Sequence, residues 1–307
     1  MAVAELADEF EAHRRHLLSV AYRLTGSVSD AEDAVQESWL RLHGADAGSI
    51  RDLAGWLTTV VGRICLDRLR SAAARREQYV GQWLPEPIVT SLSPSREPDP
   101  LESVVQEEDN RLAALIVLDT LTPQQRVSFV LHDGFGVPFD EVASILGVEV
   151  PTARQLASRA RKAAAEAAPA VSDQEHALAV QRLLDAISGG DVDAVVAALH
   201  PDALVIGDAN GTTSTTSTAI NIIRGADKTA RFFLGLARLY GPEWFTTIRP
   251  VLVNGQLGGL HKGITGEGTR RSSPPRVSAF TVRDGVVYAA YDIANPEKFG
   301  GIRLGPS

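Results

Sequence analysis

"FDEVASILGVEVPTARQLASRARKAA", residues 139–164, folds two helical patterns around one turn. Phe139, Val142, Ile145 and Leu146 recur at helical spacing and form an apolar stripe. Gly147 ends that helix, because glycine takes the left-handed backbone of a helix C-terminus without steric cost. A second helix is expected to open near Pro151 and Thr152, since the fixed φ of proline suits a first helical turn. Ala153, Leu156, Ala157 and Ala160 face its interior, while Gln155, Ser158 and Lys162 lie opposite, flanked by Arg154 and Arg159. Two short helices, a Gly-containing turn and an outward polar-basic face make a helix-turn-helix pattern. Arg and Gln form paired hydrogen bonds with base edges, and Lys and Ser suit phosphates. The same pattern also describes an ordinary helix pair with a solvated charged face.

The surrounding chain is acidic, with a formal net charge of −8 over 307 residues. That balance argues against indiscriminate coating of nucleic acid and leaves room for a local basic face. The length exceeds one typical domain, so two or three are expected. Apolar residues make up 44% of the chain, enough for packed cores, and most are Ala, Leu and Val, which favours helices. The one cysteine, Cys65, allows no internal disulfide and fits a reducing cytoplasm. The N-terminus has no apolar signal core, and no run approaches the roughly 18 apolar residues of a spanning helix. A soluble cytoplasmic protein with no membrane partner is the expectation.

Working outward, residues 5–76 read as helical. Leu6, Phe10, Leu17, Ala21 and Leu24 share one helix face, and Gly26 stops that helix. Ser29 and Glu32 stand in capping-box spacing, which predicts a second helix from about Asp30. Asp33, Gln36 and Glu37 then share one acidic face, by default a solvated surface. A third helix over about residues 52–74 is expected to bury Leu53, Trp56, Leu57, Val60, Ile64 and Leu69. Its end is basic through Arg63, Arg70, Arg75 and Arg76, and Asp67 stands one turn from Arg63, in reach of an intrahelical pair. Residues 77–105 contain "WLPEPIVTSLSPSREPDP" and read as a linker. Helical periodicity resumes over 106–168. Residues 172–300 form an α+β block: two helices (about 172–188 and 191–199), a further helix near 227–240, and alternating segments "ALVIGD", "FTTIRPVLV" and "VSAFTVRDGVVYAAYDIA". "RDG" in the last is a hairpin signal.

Three linked stretches, "AYRLTGSVSDAEDAVQESWLRLH", "AGWLTTVVGRICLDRLRSAAARR" and "LTPQQRVSFVLHDGFGVPFDEVASILGVEVPTARQLASRARK", resemble regions 2 and 4 of an extracytoplasmic-function (ECF) sigma factor in wording, order and spacing. "WLPEP" (Trp83, Leu84, Pro85, Glu86, Pro87) and "NPEKF" (Asn295, Pro296, Glu297, Lys298, Phe299) resemble signatures of members that carry a fused SnoaL-like domain; many relatives have Asp and Leu where this chain has Glu297 and Phe299. The resemblance implies a multidomain protein: two all-α sigma domains and a SnoaL-like, NTF2-like α+β cone. It implies core RNA polymerase as partner, through the β′ clamp and the β flap, and promoter DNA. Asp33, Gln36 and Glu37 would meet the clamp. Trp56, Arg63, Arg70, Arg75 and Arg76 would follow the −10 strand, whose phosphates suit basic side chains. Thr152, Arg154, Gln155, Ser158, Arg159 and Lys162 would enter the −35 major groove. The "WLPEP" segment is expected to pack on the cone near "NPEKF", with Trp83 as the main buried side chain.

Such cones enclose an apolar pocket, so an unidentified small-molecule ligand is a candidate partner. Relatives that are isomerases or hydrolases use a pocket Asp or His, and Asp208, Asn210, His261 and Asp292 are the candidates here. Each has a structural alternative: Asp208 and Asn210 sit in the turn-like "GDANG", His261 adjoins an exposed Gly-rich stretch, and Asp292 would pair locally. No base has an identifiable orienting partner, so no catalytic residue, cofactor or metal is expected. The alternative reading is a cone-fold enzyme with a DNA-binding appendage.

Overall fold

The stripe predicted for the first helix is the core of an N-terminal bundle. In the computed structural model, which describes residues 3–46, 48, 50–76, 79, 81–93, 99–105, 110–165, 171–211, 221–241, 244, 247–266 and 271–304 (backbone alone at 3, 4 and 73–76), α1 (Val3–Thr25) buries Phe10, Leu17, Ala21 and Leu24. It packs on α2 (Val28–His43) and α3 (Leu53–Arg76). The chain divides into two units, Met1–Glu77 with Arg96–Ala167, and Gln78–Ser95 with Ala168–Ser307.

Helix α2 starts earlier than its capping-box spacing implied. Gly26, at φ 67°, turns the chain out of α1, and Ser27 directly after it accepts from the Asp30 amide at 3.1 Å. Ser29 therefore falls inside the helix, its hydroxyl 3.1 Å from that of Ser27. In α3, Leu57, Val60, Ile64 and Leu69 are buried, whereas Leu53 and Trp56 in the first turn are only half-buried.

The rest of this unit comprises α4 (Pro100–Val104), α5 (Leu112–Asp119), α6 (Pro123–Phe129), a π-helical turn (Val130–Gly134), α7 (Phe139–Leu146) and α8 (Val150–Ala165). Thr122 and Gln125 form the capping box of α6, with Pro123 in its first turn. Gly147 closes α7 at φ 69° as its sequence position required. Helix α8 begins at Val150, slightly before the expected point, because the Glu149 carbonyl already accepts from Thr152 and Ala153 at 2.9 and 3.1 Å. Helix α3 packs on α6 and α7. Gly62 permits this approach: a Cβ there would lie 3.1 Å from a Leu131 methyl and 3.4 Å from one of Ile145. Arg126, 1% exposed, ties α6 to α5 through an ion pair with Asp119 and to α1 through a 3.1 Å bond from Nη2 to the Arg23 carbonyl.

The described strands of the second unit form one sheet, overlain by helices. The strands run β3-β2-β7-β6-β5-β4-β1-β8 across the sheet: β1 Val89–Thr90, β2 Leu199–Asp208, β3 Ile223–Arg224, β4 Ile248–Val253, β5 Gln256–His261, β6 Arg276–Arg283, β7 Val286–Ile293 and β8 Ile302–Arg303. Helices α9 (Asp173–Gly189), α10 (Val192–Ala197) and α11 (Ala226–Tyr240) supply the other layer. Leu183, Val195, Ala230 and Val287 meet in the core between them. The predicted "RDG" hairpin is present, with Asp284 and Gly285 at φ 53° and 73°. Strand β5 was not among the expected strands, because Gly258 and Gly259 dilute its alternation. Asn254 and Gly255, at φ 49° and 80°, form the two-residue turn that pairs it with β4, and that dipeptide was the available signal.

The segment read as a linker is partly a built piece of this unit. Leu84, Ile88 and Val89 are at most 2% exposed, and β1 inserts between β4, antiparallel, and β8, parallel. Proline fixes φ in the extended range, so Pro85 and Pro87 pre-set the backbone for this edge insertion. No described helix is long and apolar enough to cross a membrane.

Candidate functional site

Helix α8 separates a buried face from an exposed one, although Leu156, expected inside, is only half-buried. Ala153, Ala157 and Ala160 are wholly buried, and their small size lets α8 approach α6 closely enough for Ser128 Oγ to donate to the Ala153 carbonyl at 2.7 Å. Thr152, Arg154, Gln155, Ser158, Arg159 and Lys162 are all exposed on the other side. Phe139, expected in the core, is half-buried at the surface. The His132 ring stacks on it at 3.7 Å, and the Arg154 guanidinium sits 5.7 Å from its centroid, so the aromatic ring supports the first basic side chain of α8.

On α3, Trp56 is half-buried and Arg63 and Arg70 are exposed; the side chains of Arg75 and Arg76 lie outside the described residues. Arg63 donates to Ser144 Oγ on α7 at 3.1 Å. Asp67 pairs with Arg70 at 3.5 Å, the i, i+3 partner, and not with Arg63. The acidic face of α2 is partly neutralised. Arg68 from α3 reaches Asp30 at 2.8 Å and Asp33 at 3.4 Å, and Arg41 meets Glu37 at 2.5 Å. Gln36 is exposed and borders a groove with Phe10, Val35 and Trp39. Leu40, one turn further, is 63% exposed. Sequence reasoning missed it, although an apolar residue on an otherwise polar face was a readable signal.

In the second unit, Asp208, Lys298 and the "WLPEP" segment form a buried clasp. Asp208 is wholly buried and Lys298 is 2% exposed. The Lys298 ammonium contacts the Asp208 carboxylate and the Leu84 carbonyl, and lies 3.4 Å from the centroid of the Trp83 ring. The same carboxylate accepts from the Leu84 amide at 2.8 Å and from the Tyr79 hydroxyl. Burial, then the neighbouring Asp208, pushes the Tyr79 phenol up from its usual range. Asn295 donates to the Tyr79 oxygen at 3.1 Å and caps the 3₁₀ turn Pro296–Lys298 by accepting from the Glu297 amide at 3.0 Å. Ile88 is fixed further along: its amide donates to Asn254 Oδ1 at 3.1 Å, and its carbonyl accepts from the Asn254 amide at 2.8 Å.

This geometry changes several expectations. Leu84, with Ile88, is the buried anchor; Trp83 is half-buried and presents its ring face to Lys298. Pro85, Glu86 and Pro87 are buried; Pro296 and Glu297 are exposed and Phe299 is half-buried. Asp208 is no turn residue but the end of β2. Asn210, at φ 48°, donates to Asn295 at 3.2 Å.

The cone cavity is separate from the clasp. It lies between the sheet and helices α9 and α11 and opens in part to solvent. Of the four candidate catalytic residues only Asp292 lines it, among the described residues. Its carboxylate accepts from Arg276 Nη1 at 2.9 Å. Burial raises the Asp292 carboxyl, and Arg276 opposes that shift. His261 is 2% exposed, contrary to the expectation of a surface site. Its Nδ1 accepts from the Gly263 amide at 2.9 Å, and Nε2 meets Thr247 Oγ1 at 2.8 Å. Burial, then Arg276, lowers its pKa to about 4, so the ring is neutral near pH 7. In the sheet register Gly207 faces Asp292 and Asp208 faces Ile293. Cavity and clasp thus share the ends of β2 and β7.

Comparison with known proteins gives the following. Residues 10–75 match the sigma-70 region 2 family, residues 112–163 the sigma-70 region 4 family, and residues 180–290 the SnoaL-like domain family. Over 299 residues the chain is 54% identical to the ECF RNA polymerase sigma factor SigJ of Mycobacterium tuberculosis, covering 96% of this chain and 94% of that protein. It is 39% identical over 197 residues to the probable ECF RNA polymerase sigma factor SigI of the same species, covering 62% of this chain and 66% of the relative. The crystal structure of M. tuberculosis SigJ matches with a TM-score of 0.82 at 51% identity, covering 97% of this chain and 100% of that one.

Proposed function

The chain belongs to the family of extracytoplasmic-function RNA polymerase sigma factors, and from that premise we propose that its SnoaL-like cone restrains promoter engagement by capturing the segment that links the two sigma regions. In this reading residues 5–76 carry region 2, 106–168 region 4 and 172–300 the cone, and the protein works in the cytoplasm. Asp33, Gln36 and Glu37 meet the β′ clamp of core polymerase, with Leu40 as an apolar contact beside them, and region 4 meets the β flap. Trp56, Arg63, Arg70, Arg75 and Arg76 follow the −10 strand. Thr152, Arg154, Gln155, Ser158, Arg159 and Lys162 enter the −35 groove. An acidic chain binds DNA weakly alone, because phosphate neutralisation dominates non-specific affinity. Promoter recognition then depends on assembly with polymerase.

The observation that carries the regulatory part is the buried Lys298–Asp208 pair closed on Tyr79 and residues 83–84, which lie along the chain between α3 and α4. A second restraint is the packing of α3 on α6 and α7. The −10 and −35 elements lie, by their names, about 25 base pairs apart, or roughly 85 Å at about 3.4 Å per pair. A compact unit of about 150 residues has a radius of gyration near 15 Å. Regions 2 and 4 must therefore separate before both elements are held. A small molecule in the cone cavity is placed to bias this step, since Asp292 and Asp208 lie one register position apart on neighbouring strands.

Two substitutions test the DNA and polymerase assignments. Arg154→Ala or Gln155→Ala should cost roughly 1–3 kcal/mol at a matched −35 element and relax base preference there. Promoter selection by the reconstituted holoenzyme measures this, and unchanged selectivity in both variants contradicts the placement. Reversing the charges of Asp33 and Glu37 should weaken binding to core polymerase with an unaltered circular dichroism spectrum. Wild-type affinity in that double variant would return the α2 face to a plain solvated surface.

A further inference from the structure

Resting on the reading that the cone cavity holds a small molecule, we infer that its ligand is an apolar monocarboxylate whose carboxylate pairs with Arg276. The wall is built for an apolar body: Leu184, Phe232, Phe233, Leu236 and Phe280 line it. Arg276 stands at the polar end, 2% exposed. A guanidinium carries five N–H donors and no acceptor. Here Nη1 donates to Asp292 at 2.9 Å, while Nε and Nη2 are buried with no acceptor among the described residues. The Tyr240 and Trp244 rings, stacked on each other at 5.4 Å, lie 5.8 and 5.6 Å from the group; aromatic faces attract the cation but are no substitute for oxygen acceptors.

A buried polar group left unmatched destabilises a fold unless something completes it. What is missing here is oxygen acceptors for donors in one plane. A carboxylate supplies two in the geometry of a guanidinium fork. The ligand's charge follows from the neighbouring groups. His261 contributes none near neutral pH, and the Tyr291 hydroxyl is already engaged with Thr281 at 3.1 Å. Arg276 is thus the one cation lining the cavity among the described residues, and Asp292 already offsets part of its charge. A dianionic phosphate would exceed what a single half-compensated guanidinium can neutralise; a monoanion matches it. Ser278, directly across from Asp292 in the sheet register, adds a hydroxyl at the same end. A ligand carboxylate would approach the Arg276–Asp292 pair from the cavity, drawing the guanidinium away from the stacked Tyr240 and Trp244 rings onto its two oxygens.

The test is a head-group series on the full-length protein: decanoate, decanol and decylammonium, followed by calorimetric titration below their aggregation limits. The expected result is decanoate binding at least tenfold more tightly than either partner, and Arg276→Gln removing that preference while decanol affinity stays put. Equal or tighter binding of decanol to the wild-type protein overturns the carboxylate assignment and leaves the cavity as an apolar ligand site. Binding of none of the three overturns both. The wild-type series decides the matter even if the Arg276 variant fails to fold.

Discussion

Replacing Lys298 by Met lowers the unfolding free energy of the C-terminal unit by about 3–5 kcal/mol, the usual consequence of leaving one partner of a buried ion pair uncompensated. The prediction rests on the isolation of Asp208. Its carboxylate is wholly buried and, among the described residues, reaches the Lys298 ammonium, the Tyr79 hydroxyl and the Leu84 amide. The two remaining neutral donors cannot replace the lost charge. Adding Asp208→Leu to Lys298→Met should recover much of the loss, because an apolar pair of similar volume avoids the desolvation that the ion pair must offset. Urea unfolding of both variants, followed by tryptophan fluorescence, measures the effect. A Lys298→Met variant within 1 kcal/mol of wild type would mean that solvent reaches the clasp. Such a pair is a weak source of net stability but a selective one: it accepts only a segment that brings a carbonyl, an amide and an aromatic face to fixed positions.

Gly62→Leu should separate regions 2 and 4. The position of a Cβ at Gly62 already lies 3.1 Å from a Leu131 methyl and 3.4 Å from one of Ile145, so a whole isobutyl group cannot fit while α3 lies on α7. Overpacking of this kind costs about 1–3 kcal/mol, which shifts a closed-to-open ratio by roughly 5- to 150-fold. The added side chain meets α7 and the π-helical turn, not the rest of its own helix, so the contact of α3 with those elements is the place to yield. Spin labels at Asp67→Cys and Glu141→Cys, both exposed sites, report the distance. Cys65 is fully buried, and burial raises its pKa to about 12, so it stays unlabelled. A longer and broader distance distribution is expected in the Leu variant, whereas an unchanged one would place the separation elsewhere.

What the sequence disclosed follows from range. The helices of the sigma regions were legible because their information is local: the stripe through Phe10 and Leu17, the glycine after Leu146, the alanines under α8. The final hairpin announced itself through Asp284 and Gly285. The clasp was only half legible. "WLPEP" and "NPEKF" drew notice as words, yet Leu84, Ile88 and Val89 lie among prolines and serines with no strand period, so composition made the stretch a spacer. Lys298 reads as a surface residue because lysine is almost never buried without a partner, and its partner, Asp208, stands 90 positions earlier in what looks like a turn. Arg276 carried no signal at all. Its role depends on Tyr240, Trp244 and Asp292, which only the closed sheet and α11 bring around it.

Leu84→Asp tests capture of the linking segment directly. Leu84 is 2% exposed, and its amide already donates to Asp208, so a second carboxylate in that seat repels the segment while the core of the cone is untouched. The measurement is run-off transcription from the cognate promoter with limiting core polymerase, alongside amide exchange over residues 79–88. Restraint by the cone predicts rapid exchange in that segment together with a several-fold rise in transcript. Rapid exchange with transcript at or below the wild-type level would contradict it.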